Sequence, residues 1–156
     1  MTDAQYRAKQ WLTRTEVLGR KVEVERRTLA VIQNKLSGGV SSYETRPKVD
    51  AYRAMEAHEN ALIDYSLQTK RVESAQAAYI DALTETREVL EQLPPQYVPL
   101  AIDRYINGIK WEKLEELHNY SSSQLFEHNK RILDYVARIL EARSKTQQPQ
   151  GVACAF

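Results

Sequence analysis

Ten positions between Leu62 and Leu93 carry the spacing that most constrains this chain. Leu62, Tyr65, Thr69, Val72, Gln76, Tyr79, Leu83, Thr86, Leu90 and Leu93 alternate at three and four residues. Only a helix gathers such positions on one face, and a seam kept for so many turns needs a second helix against it. A candidate partner precedes it. From Asp3 to about Lys35, Trp11, Leu18, Val22, Leu29, Ile32 and Leu36 keep the same rhythm, interrupted by Thr15 and Glu25. Between the two runs lie Ser37-Gly38-Gly39-Val40-Ser41-Ser42 and then Pro47, turn-forming residues that predict a mobile loop over 37–48. The second run, from about Asp50 to Gln92, ends at Pro94-Pro95, because proline lacks a donor and constrains the residue before it. Residues 1–93 are therefore expected to form a long antiparallel helical hairpin, coiled-coil-like in character.

Charge supports the pairing. Residues 1–49 hold ten Lys/Arg against five Asp/Glu, and residues 50–93 hold four against nine. Opposite-signed arms at the flanks of a seam select partner and orientation, although each exposed pair contributes only about 0–1 kcal/mol. Burial of the seam has to supply most of the stability. The polar seam residues Thr15, Glu25, Thr69 and Gln76 weaken a two-helix core, so the arm reads either as a spacer or as an oligomerisation surface, with a homodimer the partner that buries more.

The stretch Leu100–Leu140 carries a second pattern. Trp111, Leu114 and Leu117 share a face, and Leu125, Ile132, Leu133, Val136, Ile139 and Leu140 repeat at three and four. Between them, Asn119 suits the left-handed conformation that ends a helix, and Ser121 with Gln124 fits a capping box that opens the next. So short a connection predicts a helix-turn-helix, with Trp111, Leu114, Leu117, Tyr120, Leu125 and Leu133 as its core. The expected organisation is an all-α chain: the hairpin over 1–93, the small helix-turn-helix domain over 94–143, and a disordered polar tail over 144–156.

The runs RYINGIKWEKL and YSSSQLFEHNKRIL, through Arg104-Tyr105-Ile106, Gly108, Trp111, Leu114, Tyr120-Ser121, Leu125 and Leu133, resemble the C-terminal domain of phage late transcription regulators of the ArpU/RinA kind. That domain is itself similar to the promoter-reading fourth region of bacterial sigma factors. The resemblance covers about a third of the chain, and its apolar positions are ones that many trihelical domains share. It implies a phage or mobile-element regulator in the host bacterial cytoplasm that binds double-stranded promoter DNA, host RNA polymerase or another regulator. By the same analogy Ser122, Ser123, Gln124 and Glu127 face outward at the start of the second helix, with Lys130 and Arg131 a turn further along.

Two features pull the other way. Residues 94–156 hold eight Lys/Arg against seven acids, and DNA affinity comes chiefly from neutralising phosphates, so a near-neutral domain binds weakly as a monomer. Glu127 meets a phosphate surface badly, Glu115 stands where a small residue would let the two helices close, and His118 and His128 stand where apolar residues would pack. Both histidines read as partly buried packing residues. The alternatives are a protein-docking helix-turn-helix, or a phage DNA-packaging small subunit, which would place the motif first rather than last.

No enzyme is expected. The chain lacks a Gly-rich phosphate loop, a His-Glu-x-x-His pair and a Gly-x-Ser-x-Gly elbow, and its three histidines are not at ligand spacing, so neither cofactor nor metal is anticipated. No apolar run approaches the roughly 20 residues that span a bilayer, so no membrane partner is expected. The single cysteine, Cys154, has no intrachain disulfide partner and reads as a bystander.

Overall fold

The computed structural model describes residues 1–38 and 50–147. They form five helices, α1 (Asp3–Gly38), α2 (Asp50–Leu90), α3 (Val98–Tyr105), α4 (Trp111–His118) and α5 (Ser122–Gln147), with no strand among the described residues. The all-α expectation holds. The loop expected over 37–48 lies outside the described residues apart from Ser37 and Gly38, which close α1, and Cys154 lies outside them too.

Local chemistry sets the helix ends. Thr2 and Gln5 form a reciprocal capping box at the start of α1. The Gln5 amide donates to Thr2 Oγ1 at 3.2 Å, and the Thr2 amide donates to Gln5 Oε1 at 3.1 Å. After α2, the chain turns through 91–97, with the Leu93 amide donating to the Leu90 carbonyl and the Tyr97 amide to that of Pro94. Pro99 then sits in the first turn of α3, where its missing donor costs nothing. Gly108, at φ 68°, turns the chain from α3 to α4, a left-handed conformation that any larger side chain would strain. The tail was expected from residue 144, but α5 continues to Gln147; Ser144 and Thr146 donate their hydroxyls back to the carbonyls of Glu141 and Ala142.

Contacts divide the described residues into two compact units, Met1–Glu16 with those from Ala82 to Gln147, and those of Val17–Asp81. This division differs from the break expected at Leu93–Pro94. The prolines interrupt a helix, but burial does not follow the interruption. Ala8 and Leu12 of α1 and Val89 and Leu90 of α2 belong to the same buried cluster as Leu93, Leu100, Ala101, Leu114, Leu125, Ile132, Leu133 and Val136. Polar ties reinforce this first unit. Arg14 Nη1 donates to Thr86 Oγ1 at 3.0 Å, Thr15 Oγ1 donates to the Tyr105 carbonyl at 3.4 Å, and Gln5 Nε2 donates to Asp134 Oδ1 at 2.8 Å.

In the second unit, α1 and α2 meet at Gly19 and Tyr79, at Glu25 and Gln68, and at Gln33 and Tyr65, so the partner on α2 retreats as α1 advances. Gly19 leaves room for an aromatic ring: a Cβ there would stand 3.2 Å from Tyr79 Cε2. Gln68 is buried and satisfied, its Nε2 donating to the Glu25 carbonyl at 2.9 Å and to the Glu25 carboxylate. Of the expected α2 seam, Val72 is buried but Leu62 is 48% exposed. Gln68 and Ala75, each one position before a seam residue, are buried.

Candidate recognition helix

α4 is two turns long and its end is set by one residue. Asn119 adopts φ 55°, ψ 40°, its amide donating to the Glu115 carbonyl, and this left-handed step redirects the chain through Tyr120 and Ser121 into α5. The start of α5 is closed by a reciprocal pair. Ser121 Oγ accepts from the Gln124 amide at 3.3 Å and Gln124 Oε1 accepts from the Ser121 amide at 3.0 Å. Both expected turn devices are present.

Beneath this turn, Leu114, Leu125 and Leu133 are buried, while Trp111 and Tyr120 are half-buried against them. Leu117, expected in the same core, is 52% exposed. Three-residue steps fall short of a full turn by about 60°, so a face defined by Trp111 and Leu114 has rotated away from the core by Leu117. His118 takes the inner position instead. Its Nε2 lies 2.8 Å from Asp103 Oδ2 of α3, and its ring stacks on Tyr120. His128 packs against both Tyr120 and Tyr97.

All six expected contact residues, Ser122, Ser123, Gln124, Glu127, Lys130 and Arg131, are exposed on α5, but they are not equally free. Gln124 has one oxygen lone pair taken by the cap, leaving its amide group as a donor. Arg131 Nη1 donates to Tyr97 Oη at 3.2 Å, and this bond draws the Tyr97 hydroxyl below its ordinary pKa and raises that of Arg131. Lys130 lies over the Phe126 ring, 5.3 Å from its centroid. Two further residues belong to this surface: Phe126, to which the sequence reading assigned no role, and Arg104, which it named only as part of the resemblance. Phe126 is 62% exposed, and its signal was an aromatic residue among the polar outward positions. Arg104 donates from Nη1 to the Ile109 carbonyl and covers the Trp111 ring, while its Nε is buried without a partner.

Beside the start of α5 opens a cleft of about 300 Å³, whose walls include Arg104, Trp111, Glu115, Ser122 and Phe126. Glu115 is thus half-buried between α4 and α5, at the position read as departing from a small residue. Among the described residues there is no group of three or more His, Cys, Asp or Glu side chains placed to hold a metal ion. No described helix is long and apolar enough to cross a membrane. Comparison with protein-family models, with curated proteins and with solved structures returned no match.

Proposed function

We propose that this chain is a regulator of phage or mobile-element transcription, acting in the host bacterial cytoplasm. In this reading α4 and α5 are a helix-turn-helix that holds promoter DNA, RNA polymerase or both, and α1 with α2 is an antiparallel hairpin that carries it. One observation supports it most: the left-handed Asn119 followed at once by the Ser121–Gln124 cap, which frees the first turns of α5 on the surface. In a major groove, Ser122, Ser123 and the donor amide of Gln124 meet base edges. Lys130 and Arg131, a turn further along, meet phosphates, with Arg131 braced by Tyr97.

The reading is tested by selection of random duplexes at low salt with the full chain, followed by titration of the selected sequence. Lys130→Ala is expected to weaken all sequences alike and lower the salt slope by about one, and Gln124→Ala to relax preference by about 1–3 kcal/mol. Failure to enrich any duplex at low salt removes the DNA reading. A second reading, docking of this surface on a protein, is favoured by the exposure of Leu117 and Phe126. Glu127→Arg separates the two. It adds a base to the outward face, so DNA binding tightens if that face meets phosphate; loss of a protein partner with no DNA binding favours docking.

A further inference from the structure

The second unit, Val17–Asp81, is short of core. Among its described residues only Val22, Gln68, Val72 and Ala75 are buried, whereas nine of the thirteen exposed large hydrophobic residues of the described chain lie in it. Leu18, Leu29, Ile32, Leu36, Tyr65 and Tyr79 are only half-buried, so much apolar surface of the described helices stays open to a partner.

Scattered exposed hydrophobics are ordinary, but these are not scattered. Val17, Val24 and Val31 are 63%, 52% and 51% exposed and repeat every seven residues, so they form one stripe along α1. Beside this stripe α1 and α2 enclose a groove of about 380 Å³, lined by Leu18, Ala75 and Ala78 together with the charged Lys21, Glu25 and Arg71. On α2, Ile63 and Leu67 add further exposed apolar surface at four-residue spacing.

Charge names the occupant. Residues 17–38 hold five Lys/Arg against two acids, and residues 50–81 hold three against six. A nucleic acid or an anionic lipid surface would be repelled by the second helix, and a uniformly basic partner by the first. The fitting partner has one basic and one acidic helix with apolar stripes. We propose that it is a second copy of this chain, paired about a two-fold axis so that the α1 stretch of each copy faces the α2 stretch of the other. The proposal is independent of what α5 binds.

Sedimentation equilibrium of the full chain from about 1 to 100 µM tests it, because association makes the apparent mass concentration-dependent. The wild type is expected to sediment as a dimer that weakens as salt rises. The triple variant Val17→Ser, Val24→Ser, Val31→Ser is expected to bind itself at least a hundredfold more weakly. Serine and valine have similar helix propensity and these sites are exposed, so the substitution removes apolar surface without a direct helix penalty. Val17, Val24 and Val31 lie in the second unit and both tryptophans in the first, so unchanged helical circular dichroism of the variant, rather than tryptophan fluorescence, shows that the substituted helices are intact. Val→Leu at the same three positions is expected to keep the dimer. A wild type that stays monomeric throughout overturns the proposal. So does a dimer that the serine variant forms equally well, or one that salt leaves untouched.

Discussion

Burial of the Tyr105 ring in the first unit pushes its phenol up to about 12, desolvation of the tyrosinate outweighing the nearby Arg104 charge, while the neutral phenol donates to Asn129 Oδ1 at 2.6 Å. The folded state thus prefers the neutral form more than the unfolded chain does. The stability this contributes is fully present below the unfolded value near 10 and is lost as pH rises toward 12. Tyr97, drawn down by Arg131, acts with the opposite sign. Tyr105→Phe is therefore expected to cost about 0.5–1.5 kcal/mol at pH 7 and to flatten the alkaline loss. Denaturant titrations at stepped pH measure both. A wild-type loss that persists unchanged in the variant contradicts the assignment. At this scale the sequence was legible where chemistry is local: Asn119, Ser121 and Gln124 declared their roles by type and spacing. The buried phenol was not, since a tyrosine's environment is set by which helices surround it.

At the scale of elements, the boundary between α4 and α5 rests on a single strained conformation. A non-glycine residue in the left-handed region costs roughly 1–2 kcal/mol unless its side chain tolerates it, as asparagine does. Asn119→Gly is expected to leave thermal stability within a few tenths of a kcal/mol, while Asn119→Val is expected to lose about 1–2 kcal/mol or more, read from denaturant midpoints. Equal stability of the two variants would mean that the turn rearranges at no cost. The long helices were legible in their extent, because three-four spacing and the Gly/Pro breaks report length well. Their inward faces were less so. Along α2 the row Gln68, Ala75, Ala82 and Val89 is buried, yet glutamine and alanine carry little apolar signal. On α1, Thr15 and Val22 of the expected seam are buried, but so are Ala8 and Leu12, whereas Trp11 is only half-buried, an offset that a sparse seam does not specify.

At the scale of the whole molecule, the sequence indicated breaks in the helices but not which pieces share a core. Pro94-Pro95 looked like a domain joint because proline punctuates backbone, whereas a core is defined by side chains brought together from distant positions. Here Ala8, Leu12, Val89, Leu90 and Leu93 complete the cluster that contains Leu100, Leu114, Leu125, Leu133 and Val136. A fragment of residues 94–147 keeps α3, α4 and α5 but loses all five of those covering side chains. Truncating even one large buried aliphatic side chain costs about 2–5 kcal/mol, a large share of the 5–15 kcal/mol by which domains are usually stable. The fragment is therefore expected to show helical circular dichroism without a cooperative thermal transition, with Trp111 fluorescence already shifted toward that of exposed indole at low temperature. Joining residues 1–16 to 82–147 through a flexible linker is expected to restore a single cooperative transition, because that chain carries the whole buried cluster. If 94–147 alone melts cooperatively near the temperature of the full chain, the helices after Pro94 hold their own core, and the first-unit contacts of α1 and α2 contribute little to it.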